Sequence, residues 1–127
     1  MNQKTEPWNY SNYTSGNPIE LENYTDDDGN PSGGMVISTG LNIRWQRGPL
    51  GRGEDRKRPN GAVVEQVIEA ARQRLKFYQA SKFICMENAF AIAKLEEALD
   101  WLNARTKDRE EHGVEGTHGV RASKASA

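Results

Sequence analysis

Between residues 86 and 111 the apolar positions fall on one side of a helix. Ile92, Leu95, Leu99 and Leu102 are spaced by three, four and three, with Ala91 and Ala98 beside them, which lays an apolar stripe along a helix that can pack on another. Lys94, Glu96, Glu97, Asp100, Lys107 and Asp108 fall off the stripe, and no glycine or proline interrupts the run before Gly113. The spacing predicts a helix from about residue 86 to about residue 111, roughly 39 Å long at 1.5 Å per residue, closed by Gly113 as a left-handed cap. Upstream, Val64, Val67, Ile68, Ala71, Leu75 and Tyr78 recur at helical spacing and predict a first helix over 62–79 with Asn60 as its N-cap. Residues 80–83 leave room only for a turn, so the two helices are predicted to lie antiparallel as a hairpin.

Ahead of the helices the period changes. Residues 35–39, Met-Val-Ile-Ser-Thr, are partly β-branched, and residues 41–46, Leu-Asn-Ile-Arg-Trp-Gln, alternate apolar and polar, as a half-buried strand does. Gly40 between them fits either one interrupted strand or a small hairpin. Residues 1–34 lack any apolar period and carry Asp26-Asp27-Asp28 followed by Gly29-Asn30-Pro31; they are expected to form a flexible polar arm. Trp8, Tyr10, Tyr13 and Tyr24 give that arm the means to dock on a neighbouring surface. The expected organisation is thus the arm at 1–34, a strand/loop plus helical-hairpin domain at 35–118 and a flexible tail at 119–127. The fold class is mainly α, an antiparallel helical hairpin with a short N-terminal β/loop segment. A hairpin of this size buries too little surface to stand alone, so assembly into a symmetric oligomer is expected.

Composition narrows the function classes. The 127 residues are 35% hydrophobic with a mean hydropathy of −0.85, which excludes a large core and offers no membrane-spanning run. A net charge of −1 argues against coating DNA or a membrane. One cysteine, Cys85, allows no internal disulfide, and with no secretion signal at the N-terminus the expected location is the cytoplasm. His112 and His118 have no partners at metal-ligand spacing, and adjacent pairs such as Glu96-Glu97 point in different directions on a helix. No catalytic constellation is visible, so a non-enzyme without metal or cofactor is expected.

Two stretches carry candidate binding chemistry. From Arg44 to Arg58 six basic residues stand against Glu54 and Asp55. A solvated loop explains that surplus, and the interleaved glycines add the option of backbone N–H groups approaching a phosphate. The second stretch, Gly113-Val114-Glu115-Gly116-Thr117-His118, follows Arg105 and Arg109 on the preceding helical turns. Its glycine N–H groups, hydroxyl and guanidinium groups can all donate to phosphate oxygens; a helix cap followed by frayed chain explains the same residues equally well.

At these residues the sequence resembles the short phage proteins with the helical-hairpin domain shared by anti-CBASS and anti-Thoeris sponge proteins. The resemblance covers roughly residues 43–118. It rests on Trp45-Gln46-Arg47-Gly48-Pro49, Asn60-Gly61, Arg74-Leu75 with Tyr78-Gln79, Glu87-Asn88-Ala89, the run from Leu95 through Trp101-Leu102, Arg105-Thr106 with Arg109, and the Gly-Val-Glu-Gly-Thr-His segment. The chain departs from the family pattern at Ser81-Lys82, Met86 and His112, where relatives carry a Gly-Pro turn, Arg and Arg. The resemblance implies a homo-oligomer, often a hexamer, that sequesters cyclic di- or trinucleotides or cyclic ADP-ribose isomers in the infected cell without cleaving them. It implies a phosphate site at Arg105, Arg109, Gly113, Gly116, Thr117 and His118, and a second pocket for which Arg44, Trp45, Arg47, Arg72 and Lys76 are candidates. The alternative is a hairpin that serves protein interaction alone and binds no nucleotide.

Overall fold

The computed structural model describes the backbone of residues 2–4 and residues 19–120 in full. The chain divides into two compact units, Met1–Ala62 with Gly116–His118, and Val63–Glu115 with Gly119–Ala127.

The first unit is an antiparallel sheet. Strands β1 (Asn2–Lys4), β2 (Glu20–Thr25), β3 (Pro31–Ser38) and β4 (Leu41–Arg44) lie side by side in chain order. Register places Leu21, Val36 and Ile43 in one cross-strand row and Glu22, Met35 and Arg44 in the next. Because successive side chains face opposite ways, the first row is an apolar strip on one face and the second lies on the other. The expectation of an irregular arm as far as residue 34 is therefore corrected: residues 20–25 and 31–34 are paired strand. Their pattern hid this, since β2 alternates only weakly and β3 opens Pro-Ser-Gly-Gly.

The acidic run is the turn between those strands. Asp26 Oδ1 accepts the N–H groups of Asp28 and Asn30, each at 2.9 Å, and its Oδ2 accepts from Asn30 Nδ2 at 3.2 Å. The Asn30 backbone N–H, above all, holds the Asp26 carboxyl below the ordinary value of 3.8, with a smaller contribution from the charge of His118. Gly29 takes the left-handed conformation that the turn needs. Of the two readings of Gly40, the hairpin is the one adopted. Ser38 pairs with Leu41, and Gly40 sits at φ +76° in the two-residue loop.

The second unit is the hairpin of α1 (Val64–Gln79) and α2 (Met86–Glu111). The sequence-based bounds coincide for α2 and begin two residues early for α1. The expected cap at Asn60 is corrected to Val63, whose N–H donates to Gln66 Oε1 at 3.0 Å; Asn60 has another task, described below. Cys85 caps α2, its Sγ accepting from the Asn88 N–H at 3.4 Å. Gln79 clasps the turn by donating to Cys85 O and accepting from Cys85 N, both at 3.0 Å. At the far end Gly113 adopts φ +71°, with Val114 N–H bonded to Arg109 O and Gly113 N–H to Glu110 O, the paired bonds of a Schellman cap.

Between the helices the predicted stripe residues Ile92, Leu95, Leu99 and Leu102 are half-buried, as are Val67, Ile68, Leu75 and Tyr78. Arg72 bonds Glu96 across the hairpin at 3.0 Å and Arg105 bonds Glu65 at 3.3 Å. Among the described residues no apolar side chain is fully buried, and the one buried residue is Asp108. Phe77, Phe83, Ile84, Met86 and Phe90 are each more than 60% exposed, and Trp101 is 71% exposed. A half-buried leucine gains about half of the roughly 1.5–3 kcal/mol of a buried one, which leaves a short hairpin far from offsetting the ordering of its own backbone. No helix among the described residues is long and apolar enough to cross a membrane. The aromatic residues at 8, 10 and 13 and most of the expected tail, residues 121–127, lie outside the described residues.

Candidate functional site

The basic loop is folded rather than loosely solvated. It turns around a single 3-10 turn at Gly53–Asp55, with Lys57 N–H on Leu50 O at 2.6 Å and Asp55 N–H on Arg52 O at 3.0 Å. Two side-chain amides anchor its ends. Asn60 Oδ1 accepts the Arg47 N–H at 2.7 Å while its Nδ2 donates to Arg47 O at 2.9 Å, so one amide grips both backbone groups of Arg47. Gln46 Oε1 accepts the Asn60 N–H at 2.9 Å and its Nε2 donates to Gly48 O at 3.2 Å. Such reciprocal bonds fix a loop that carries no regular structure of its own.

That grip sets Arg47 beside an irregularity in the sheet. Between the Asn23/Gly34 and Thr25/Pro31 pairs, Tyr24 on β2 faces both Ser32 and Gly33 on β3, a β-bulge. Gly33 lies at φ +81°, where an added Cβ would be in ordinary contact with the Arg47 stem, and a Cβ on Gly34 would collide with the Glu22 carbonyl and press on the Trp45 ring. The bulge, Arg44, Trp45, Arg47 and Asn60 line an open cleft of about 200 Å³. Among the described residues neither the Arg44 nor the Arg47 guanidinium has a hydrogen-bond or ion-pair partner. The Tyr24 hydroxyl donates to Glu22 Oε2 at 2.8 Å. That bond raises the Tyr24 pKa above the ordinary 10.0, and the nearby Arg44 charge pulls the other way.

Of the second pocket expected from sequence, then, Arg44, Trp45 and Arg47 share one cleft. Arg72 and Lys76 belong to α1 in the other unit, and Arg72 is committed to Glu69 and Glu96, each at 3.0 Å. Those carboxylates, Glu96 first, raise the Arg72 pKa. Sequence reasoning missed Asn60 in this role, as well as Tyr24, Ser32 and the Gly33-Gly34 pair. The available signal was that glycine pair beside a β-branched run, which marks a bulge as readily as a linker.

The expected C-terminal phosphate site divides between the units. Arg105, Arg109 and Gly113 belong to the hairpin unit, and Gly116, Thr117 and His118 to the sheet unit. Arg105 is paired with Glu65, and Arg109 Nη2 donates to Val114 O at 2.9 Å. Gly116 O accepts the Gly51 N–H at 2.7 Å, and Arg56 Nη1 donates to Gly51 O at 3.1 Å. A Cβ on Gly116 would strike the Gly51 carbonyl. The close backbone approach that a glycine permits is thus used here by the chain itself. Gly51 and Arg56 were not among the expected site residues. Among the described residues no cluster of three or more His, Cys, Asp or Glu is placed to hold a metal ion. Cys85 is half-buried at its helix cap.

Residues 38–107 match the model of the Acb2/Tad1 hairpin domain. A stretch of 76 residues, 60% of this chain, is 49% identical to the "Thoeris anti-defense 1" protein of Bacillus phage SBSphiJ7, and the match spans about half (51%) of that relative's length.

Proposed function

The chain belongs to the Acb2/Tad1 hairpin-domain family, and from that premise we propose that it is a phage anti-defence protein that acts by sequestration. It binds a cyclic nucleotide immune signal, a cyclic di- or trinucleotide or a cyclic ADP-ribose isomer, and withholds it from the host effector without cleaving it. The observation that carries this reading is the 49% identity to an anti-Thoeris protein over 76 residues, beside the hairpin-domain match over residues 38–107. A sponge needs affinity and abundance and no turnover. The sequence-based candidates for the phosphate contact are Arg105 and Arg109 in the hairpin unit and Thr117 in the sheet unit. The protein works as a symmetric homo-oligomer, with a hexamer as the expected form, in the cytoplasm of the infected cell. Self-association is supported by the absence of any fully buried apolar side chain among the described residues.

The exposed group Phe77, Phe83, Ile84, Met86 and Phe90 favours a second reading, in which the hairpin only docks on another protein. Native mass spectrometry with a panel of cyclic di- and trinucleotides and cyclic ADP-ribose isomers separates the two. Oligomers that gain whole numbers of one ligand, recovered chemically intact after denaturation, support the sponge. Oligomers that bind none of the panel support the docking module, and recovery of cleaved products would identify an enzyme. Thr117→Leu is expected to abolish trinucleotide binding with helicity unchanged.

A further inference from the structure

We propose that Arg56 is a positioning residue for the segment that ends the hairpin: acting through Gly51, it holds Gly116, and with it Thr117 and His118, in the shape that receives the signal. The inference rests on the reading of the preceding subsection, because it supplies the support that the binding segment requires there.

The segment needs support from outside itself. Residues 113–118 form neither helix nor strand, and Gly113 and Gly116 both take positive φ, at +71° and +76°. Glycine reaches that conformation freely and for the same reason loses the most freedom when fixed in it. Every residue that a ligand had to order on arrival would weaken its binding. Arg109 holds the first part within the hairpin unit: its carbonyl accepts from the Val114 and Glu115 N–H groups at 3.0 and 3.2 Å, and its guanidinium donates to Val114 O at 2.9 Å. Gly116, Thr117 and His118 lie beyond that grip and belong to the sheet unit.

In the sheet unit Gly51 is engaged at both ends of its backbone. Its N–H donates to Gly116 O at 2.7 Å, and its carbonyl accepts from Arg56 Nη1 at 3.1 Å. Gly51 is itself at φ +84°, so the direction of its N–H has to be fixed by its neighbours. Lys57 N–H on Leu50 O fixes it from one side and Arg56 from the other. A Cβ on Gly116 would strike Gly51 O and stand 3.0 Å from Arg56 Nη1, so the guanidinium and the Gly116 backbone are side by side. An exposed arginine could instead serve the loop only as a positive charge that draws anions. The geometry favours positioning, because at least one N–H of the Arg56 fork is spent on a carbonyl five residues back in its own loop.

The test compares the full chain with Arg56→Ala and Arg56→Lys in two measurements. In amide hydrogen exchange without ligand, Arg56→Ala should speed exchange at Gly51 about fivefold, the worth of one ordinary hydrogen bond. The Val114 amide, held by Arg109, should keep its rate, and circular dichroism its helical signal. Arg56→Lys, whose ammonium can reach the same carbonyl, should recover most of the protection. In calorimetric titration with each cyclic di- and trinucleotide and cyclic ADP-ribose isomer of the panel, Arg56→Ala should weaken binding about fivefold, and by the same factor at low and high salt, since salt screens a direct charge attraction and leaves a positioning effect in place. Unchanged exchange at Gly51, or a deficit in binding that closes at high salt, would overturn the proposal. Equal binding by Arg56→Ala and the parent would overturn this proposal alone. A parent that binds no member of the panel would overturn the sequestration reading and this proposal with it.

Discussion

In the hairpin unit the backbone satisfies itself within each helix, and side chains are left free to pack. In the sheet unit side-chain amides and glycine backbones do the joining. Gln79 is the one amide clasp of the turn between the described helices. By contrast the loop after β4 is held by Gln46, Asn60, Arg56 and the Gly51–Gly116 bond. The difference teaches where each unit is sensitive. Helix pairs fail when the shared apolar stripe is broken, because the part-exposed Arg72–Glu96 and Arg105–Glu65 pairs that also join them contribute little on their own. An irregular sheet and loop fail when a single glycine acquires a side chain, because backbone has come to lie against backbone.

The comparison breaks most visibly with Leu99→Asp. A carboxylate in the inter-helix stripe forfeits the leucine contacts and resists burial; a loss of about 3 kcal/mol and of most helical signal in far-ultraviolet circular dichroism is expected. Gly34→Ala should strike the other unit. With φ at +147° and the Glu22 carbonyl in the way, it is expected to cost about 2 kcal/mol. Amide signals of β2 and β3 should shift while helicity is retained. Equal damage to both units would show that they unfold together.

Asn60→Ala sharpens the contrast at lower amplitude. Losing two hydrogen bonds to exposed backbone groups that water can replace costs about 1 kcal/mol. The Arg47 amide should then exchange with solvent faster while the helical amides keep their protection. The smallest effect is that of Arg72→Gln, a change to an exposed ion pair, read through pH. Gln73 first, and Arg72 after it, hold the Glu69 carboxyl below the ordinary 4.5. A carboxyl with a lowered folded-state pKa adds stability that is complete above its unfolded value and lost as pH falls through the folded one. Acid unfolding should therefore begin at slightly higher pH in Arg72→Gln than in the parent. A shift in the opposite direction would show that this pair does not stabilise the folded chain.

Legibility followed the same division. The α2 bounds were readable to the residue because Ile92, Leu95, Leu99 and Leu102 repeat without interruption and Gly113 stops them. Asn60 was misread because an asparagine before a helical pattern has two uses for its amide, capping or clasping, and the choice depends on Arg47, 13 positions away. The acidic turn was misread as disorder because three aspartates in a row look like solvated charge, whereas Asp26 is enclosed by donors from Asp28 and Asn30. At the candidate cleft Arg44, Trp45 and Arg47 were legible as neighbours in sequence. Their partners Tyr24, Ser32 and Gly33 come from strands whose pairing no local period announces.

The sequence by itself determined the helical hairpin, its antiparallel sense and its glycine stop, since these follow from interactions within four residues and one short turn. Tertiary structure decided the bulge, the two uncommitted guanidinium groups brought to it and the close approach of Gly51 to Gly116. Each of these depends on the register between distant strands or loops, and register is set by which backbone groups find one another in space.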